Sequence, residues 1–412
     1  MKLTREELRW SLYDVANSAY ILMLTAVMPI YVKSMGSAMG YSDAQTTSHW
    51  ALMQAAGTFV VALLAPLLGA LGDHRGKKKK LFTLFFLLGM GSCAAMALIG
   101  DYRLMLAVNL AAALGYAGAN NFYDAFLVDV TTDARMDDVS SFGYAIGYIG
   151  SCIPFVVCIL LILKTPFGLD TVGATKISLL LTAAWWLAFS LPLLFGVRQK
   201  YGVEPAQHGW LAASLRGLSA TFLEIVADRR IGMFLLAYFF YIDGVDTIIK
   251  MSTSFGSDVG ISSSQLILAL LATQVVAFPA VLICARIAKR FSSRRVIAVS
   301  ILVYVGICIF GFFLAHAWQF WVLAMAVAVV QGTIQALSRS YFGRLIPKEK
   351  NNEYFGFYNI LGKYATILGP LLMALFTTLT GSSRWGVLSI AALFVIGFVV
   401  FIKSPAPAES HS

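Results

Sequence analysis

The sequence predicts an all-α membrane protein whose twelve transmembrane helices form two pseudo-symmetric six-helix bundles. Three observations carry this prediction. Of 412 residues, 59% are hydrophobic and 13% charged, more apolar surface than one soluble core of this size can bury. Apolar runs near the ~20 residues that cross a hydrocarbon layer of ~30 Å recur along the whole chain. Basic residues gather at alternate ends of those runs.

In order, spans are predicted over residues 9–34, 46–71, 81–100, 104–130, 140–163, 174–196, 229–254, 263–288, 295–315, 318–346, 353–380 and 384–402. Residues 1–196 then make the first bundle and 229–403 the second. Residues 197–228, the longest polar connection, read as a cytoplasmic linker with Arg198, Lys200, Glu204, Arg216, Glu224 and Asp228. Residues 404–412 form a short tail. Met1 to Arg9 lead charge into the first apolar run without a small-residue cleavage pattern, so that run is expected to be a retained span.

Of the Lys and Arg residues, 23 fall on the side of the N-terminus, 6 on the other and two within helices. Such asymmetry predicts both termini and the linker in the cytoplasm, with the cell (inner) membrane as the expected location. The formal charge of +10 is therefore orientation charge rather than a nucleic-acid face. Cys93, Cys152, Cys158, Cys284 and Cys308 lie in apolar runs without metal-ligand spacing and read as small buried hydrophobes.

The halves echo each other. Gly69-Ala-Leu-Gly-Asp73-His-Arg75-Gly76-Lys77-Lys78 follows the second span, and Ala285-Arg-Ile-Ala-Lys289-Arg-Phe-Ser292-Ser-Arg294 follows the eighth. The first turn resembles the cytoplasmic signature of the major facilitator superfamily. Gly69 would let helices approach, Asp73 would cap a neighbouring helix N-terminus, and the bases at Arg75 or Lys77 would pair with Asp129 when the inside gate is closed. Gly76 completes this gating set. In the second turn Lys289 replaces the acid and Ser292 the glycine, so only the first is expected to latch.

Ionisable residues inside spans are costly, at about 2.5–3.5 kcal/mol on insertion scales, and tend to face a cavity or a partner. Here they are Asp14, Asp124, Asp243, Asp246, Arg339 and Lys363. Pairing of Asp14 or Asp124 with Arg339 or Lys363 across the halves is one expectation; pairing within a half, fixing helix packing, is the other. Asp243 and Asp246 share a helix face one turn apart, either as a proton-carrying couple or as structural acids beside Tyr241. Asn17, Tyr20, Gln335 and Asn359 are further candidates for a polar pathway, although interhelical hydrogen bonding explains such residues equally. Gly115, Gly118, Gly143, Gly147 and Gly150 suit close helix packing. No phosphate-binding loop, zinc-protease or nucleophile-elbow pattern occurs, so neither an enzyme nor a cofactor is expected.

Several segments together resemble one branch, the vacuole-effluxer-like family of autophagy-related amino-acid effluxers. They are Trp10-Ser-Leu-Tyr13-Asp14-Val-Ala-Asn17-Ser-Ala-Tyr20, Phe122-Tyr123-Asp124, Tyr241-Ile-Asp243-Gly244, Ser338-Arg339-Ser340-Tyr341-Phe-Gly-Arg-Leu345-Ile-Pro347, Phe355-Gly-Phe-Tyr-Asn359 and Gly362-Lys363. The resemblance spans all twelve helices. It implies a secondary transporter working by alternating access; the expectation is a monomer that moves a small polar organic solute, with amino acids favoured by the resemblance because fungal relatives export neutral ones. Protons are a plausible coupling partner, with uniport the alternative. Lipid or lysolipid flipping, and a receptor or scaffold that keeps the fold without transport, are the competing readings.

Overall fold

A computed structural model describes residues 2–204, 210–365 and 367–405. Helix α1 (Arg5–Ala26) opens with a capping box in which Thr4 and Glu7 satisfy each other's backbone N–H groups. It meets α2 (Met28–Ala38) at 45°, where Pro29 in the first turn of α2 lacks the N–H that would continue the ladder. Helices α3 (Asp43–Asp73), α4 (Lys78–Met96), α5 (Tyr102–Val130), α6 (Met136–Lys164) and α7 (Thr171–Gly196) complete the first bundle. The connection that follows contains a helix of its own, α8 (Trp210–Ala227), where only a polar linker was expected. The second bundle comprises α9 (Arg229–Asp258), α10 (Ser263–Phe291), α11 (Ser293–Phe312), α12 (Ala317–Leu345), α13 (Asn351–Tyr364), α14 (Leu368–Thr380) and α15 (Ser383–Lys403).

Among the described residues, ten helical stretches are long and apolar enough to span a membrane, with α13 and α14 together forming one of them, and the bent pair α1–α2 makes an eleventh. The twelfth is α5, 29 residues long and thus ~43 Å at 1.5 Å per residue. Its apolar character is diluted by Asn109, Asn120, Asn121 and Asp124, the residues that make it informative. Large apolar side chains such as Leu63, Leu163 and Phe195 stand on the outside of the bundles, 69%, 75% and 83% exposed, where lipid would cover them.

Close packing follows the glycines. A Cβ on Gly115 would lie 2.2 Å from the Gly89 nitrogen, so the backbones of α4 and α5 touch. Gly143, Gly147 and Gly150 lay α6 against Asp14, Ser18 and Val15 of α1 in the same way. Tyr20 stacks on Trp186 at 4.9 Å inside the first bundle, and Tyr238 on Tyr358 at 4.2 Å inside the second. Cys93, Cys158 and Cys308 are buried as expected; Cys152 and Cys284 are only half-buried.

The two bundles meet mainly through α3 with α13, α6 with α10 and α12, and α5 with α12 and α13. Among the described residues, the hydrogen bonds and ion pairs that cross between them lie from mid-helix to the face that carries both termini. The outer piece of the broken span, α14, packs on α15 and α9 of its own bundle. The molecule is therefore drawn together at the terminal face.

Candidate translocation site and gate

Arg339 stands where the bundles converge. Its side chain is 2% exposed, which a guanidinium tolerates only when paired and hydrogen-bonded. Nη1 donates to Asp124 Oδ1 at 3.2 Å and Nη2 to Asp14 Oδ2 at 3.4 Å. Ser140 completes the shell, its Oγ accepting from Nε at 3.0 Å and its carbonyl from Nη2 at 3.1 Å. The cation also lies over three rings, 4.5 Å from the centroid of Tyr144, 4.8 Å from Trp10 and 5.4 Å from Tyr123. All of these partners belong to the first bundle, whereas Arg339 belongs to the second.

The local sequence builds this cage. Trp10 and Asp14 are one turn apart on α1, Tyr123 and Asp124 adjacent on α5, and Ser140 and Tyr144 one turn apart on α6, so three helices each present a polar and an aromatic group. Tyr123 Oη donates to Asp14 at 2.6 Å, the Trp10 indole N–H to the Tyr123 carbonyl at 2.9 Å, and Ser140 Oγ to the Ala336 carbonyl at 2.7 Å. Beside the cage, Asn17 donates to Asn120 at 3.1 Å and Asn359 to Asn121 at 3.1 Å, the second bond crossing between bundles. Lys363 lies within electrostatic reach of Asp124.

Other expected site residues lie elsewhere. Tyr20 is buried in the interior of the first bundle, stacked on Trp186. Tyr241 shares a 2.7 Å hydrogen bond with Ser338 inside the second bundle, where it ties α9 to α12. Asp243 accepts from the Gly369 N–H at 2.9 Å and Thr247 at 3.3 Å, capping the start of α14 just past the break in that span. Asp246 is half-buried one turn away, and Gln335 half-buried one turn before Arg339.

At the terminal face the turn after α3 forms a latch. Asp73 Oδ1 accepts from both nitrogens of Asn352 at 2.9 Å and Oδ2 from the Glu353 N–H at 3.0 Å, so it caps α13 of the other bundle. Gly69 allows this approach, since a Cβ there would lie 2.5 Å from the Asn352 carbonyl oxygen. Asp129 does not pair with Arg75 or Lys77. Gly76, at φ +75°, turns the chain so that Lys78 enters α4 facing inward, and its Nζ meets Asp129 Oδ2 at 2.5 Å and Asn351 Oδ1 at 2.7 Å, fully buried. Arg75 instead pairs with Glu204 in solvent at 3.0 Å, and Lys77 is exposed.

The second turn also latches, contrary to the expectation from its residues. Lys289 ion-pairs with Asp138, Ser293 donates to Asp137 at 2.5 Å, and Arg344 pairs with Asp137 at 2.8 Å. The charges are exchanged: the bases stand in the last turns of α10 and α12, and the acids in the first turn of α6. Ser292, at φ +77°, occupies the place of Gly76 with the same backbone sign. Lys289 shows in the sequence that this turn lacks the acid; the counterparts Asp137 and Asp138 stand in the other half, far away along the chain.

The connection after α7 embraces the first latch. Val203 bonds through its backbone to Asp73 and Arg75, Gln199 accepts from the N–H groups of Gly76 and Lys78, and Asp129 Oδ1 accepts from those of Lys200 and Tyr201 at 2.7 and 3.0 Å. From α8, Glu224 receives Lys350 at 2.9 Å on both oxygens, a contact that holds its carboxyl below the usual range.

A buried cross-bundle cation cage and two latches on one face define the class, a multi-pass transporter of major facilitator type. The chain belongs to the Atg22-like vacuole effluxer family, whose profile, described as "Vacuole effluxer Atg22 like", matches residues 128–407. It is 46% identical over 410 residues to the uncharacterized MFS-type transporter YxiO of Bacillus subtilis, covering 98% of this chain and 96% of that one. Autophagy-related protein 22 of Yarrowia lipolytica is 25% identical over 64% of this chain, which spans 49% of the fungal protein's length. In three dimensions the chain is similar to the human organic anion transporter MFSD10 (TM-score 0.72, 16% identity, 97% and 100% of the two chains). It is equally similar to the Escherichia coli fucose:proton symporter FucP (TM-score 0.73, 16% identity, 97% and 98%). A bacterial homologue of ferroportin in its outward-facing state gives 0.70 at 13% identity, over 97% and 99%.

Proposed function

We propose that this protein moves a small polar organic solute across the cell membrane by alternating access, with the terminal face cytoplasmic and the conformation described here closed on that side. Arg339 carries this reading. A guanidinium from one bundle buried among two carboxylates and three rings of the other makes a bond that must break when the bundles rock apart, and whose acids a proton can neutralise. The basic excess of 23 to 6 supports the orientation. Asp14, Asp124 and Arg339 form the floor of the pathway, Asn17, Asn120, Asn121, Asn359 and Lys363 its polar wall, and Gly69, Asp73, Gly76, Lys78 and Asp129 the gate. The twelve helices form two units, residues 1–196 and 229–403, joined by 197–228, and work as a monomer.

A site that holds paired acids and bases matches a zwitterion, and membership of the effluxer family favours amino acids. Asp243, which caps α14, and Asp246 give the second bundle acids through which protonation would act on the broken span. The test is uptake and efflux of radiolabelled neutral amino acids in proteoliposomes, with and without an imposed pH gradient, for wild type, Asp243→Asn and Arg339→Ala. Accumulation that needs the gradient and both residues is expected. Folded wild-type protein that moves none of them would exclude amino acids, and accumulation without a gradient would make it a uniporter.

A further inference from the structure

The terminal face carries a group of bases that neither latch uses. Helix α7 packs against α1 and α4, and three cations from three segments gather at its end. A Cβ on Gly196, the last residue of α7, would lie 2.1 Å from Cδ of Arg9 and 2.6 Å from its Nε and Nη1, so the Arg9 side chain of α1 lies across that residue. Lys79, in the first turn of α4, donates to the Val197 carbonyl at 3.0 Å. Arg198 comes next in the chain, exposed and within electrostatic reach of Lys79.

The basic excess of this face accounts for the sign of these residues but not for their meeting at one point. A helix C-terminus attracts a cation, and Lys79 already serves the carbonyl there. Arg9 and Arg198 have neither an ion pair nor a hydrogen bond among the described residues. The acids of the first bundle on this face are committed elsewhere: Glu6 to Lys200, Glu7 to Arg135, Asp129 to Lys78, Asp133, Asp137 and Asp138 to bases of the second bundle, and Asp73 to the cap of α13. Three like charges without a counter-charge from the protein repel one another, and an anion among them relieves that repulsion. Apolar surface adjoins the cluster, since Phe195 and Leu191, one turn apart on α7, are 83% and 38% exposed. We propose that the end of α7 binds an anionic phospholipid of the adjoining leaflet, with its phosphate among Arg9, Lys79 and Arg198 and an acyl chain along Phe195 and Leu191. Basic pockets between membrane helices recognise anionic headgroups in this way. Arg198 immediately precedes Gln199 and Lys200, through which the connection grips the first latch, so the lipid holds the root of that connection. The site is independent of which solute is moved.

The test titrates the purified, delipidated full-length protein in detergent with dioleoylphosphatidylglycerol and, separately, with dioleoylphosphatidylcholine, which has the same acyl chains without the net charge. Inorganic phosphate is the probe without chains. Native mass spectrometry counts bound lipid, and thermal unfolding reports the stabilisation it brings. Phosphatidylglycerol should bind in preference to phosphatidylcholine and raise the unfolding midpoint. Arg9→Gln combined with Arg198→Gln should weaken its binding about 30-fold, the effect of two cations at a membrane surface. Arg286→Gln combined with Arg290→Gln, an equal loss of exposed charge on the same face of the other bundle, should leave it unchanged. Unliganded unfolding shows whether each variant folds; Arg198→Gln alone removes an exposed side chain without a partner and should still cost about five-fold. Equal losses in the two pairs would reduce the cluster to orientation charge, and unchanged binding in Arg198→Gln and the first pair would overturn the site. Stabilisation by inorganic phosphate as strong as that by phosphatidylglycerol would assign the site to a free anion and overturn the lipid.

Discussion

Asp73 and Asn352 are 279 residues apart in sequence, yet the carboxylate of one caps the helix that begins at the other, with two bonds of 2.9 Å. A third bond, from the Glu353 N–H, leaves the carboxylate with three donors, all from the opposite bundle. Removing a cap costs about 0.5–2 kcal/mol. Asp73→Ala should therefore shift the closed-to-open equilibrium of the terminal face by about 2- to 30-fold toward open. Spin labels at Lys80 and Arg290, both exposed on that face and on different bundles, should report a longer distance population; an unchanged distribution would mean that the cap does not hold the gate.

Lys78 and Lys77 are adjacent, and their replacement should differ sharply. Lys78 and Asp129 are both 0% exposed, so Lys78→Ala strands a buried carboxylate at a cost of about 3–5 kcal/mol. Two backbone N–H groups from the connection still reach that carboxylate and should place the loss at the lower end. Lys77→Ala, in solvent, should stay within about 0.5 kcal/mol. Thermal unfolding in detergent ranks the two, and equal losses would refute the assignment of Lys78 as the partner of Asp129.

The twelve spans and the first latch were legible because they rest on local patterns: length of apolar runs, basic asymmetry, and a Gly-x-x-x-Asp-x-x-Gly spacing whose glycines have one physical use. Asp14, Asp124 and Arg339 were legible as expensive groups with a pairing across the halves as one of two alternatives, and the choice between them was not, since spacing along a helix does not fix its rotation. Tyr20 and Tyr241 carry the same residue type as Tyr123 and Tyr144, and only packing decides that the first two serve a bundle interior while the latter two frame Arg339. The choice of Lys78 over Lys77 depends on one left-handed residue, Gly76, which aims the following turn. The charge-exchanged second latch needed two distant stretches to be placed side by side.

Ser292 tests that second latch from the backbone. It holds φ +77° and ψ 145°, a region nearly reserved for glycine and costing a side chain of order 1–3 kcal/mol. Gly76 holds the matching position in the first turn without that cost. Ser292→Gly should raise the unfolding midpoint and favour closure of the terminal face, because Lys289 and Ser293 on either side reach Asp138 and Asp137 from this turn. Thermal unfolding and the same pair of spin labels would show both effects; a lower midpoint would mean that the turn is relaxed with serine in place.

Arg339 and Asp14 belong to different bundles, and a double-mutant cycle separates a bond between bundles from independent packing roles. Arg339→Lys keeps a charge but loses the planar fork that reaches Asp14, Asp124 and Ser140 at once. Asp14→Asn keeps the shape of the acid and an oxygen for Tyr123. If the three groups act as one network, the cycle between these substitutions should return a coupling of roughly 0.5–3 kcal/mol in unfolding free energy, and the cycle with Asp124→Asn a similar one. The sign should favour the native pair. Asp243→Asn combined with Arg339→Lys supplies the control, because Asp243 is engaged with Gly369 and Thr247 and should be additive with it within ~0.5 kcal/mol. Additivity in all three cycles would reduce Arg339 to a cation held by aromatic faces and Ser140 alone, and proton uptake by Asp14 or Asp124 could not then open the floor.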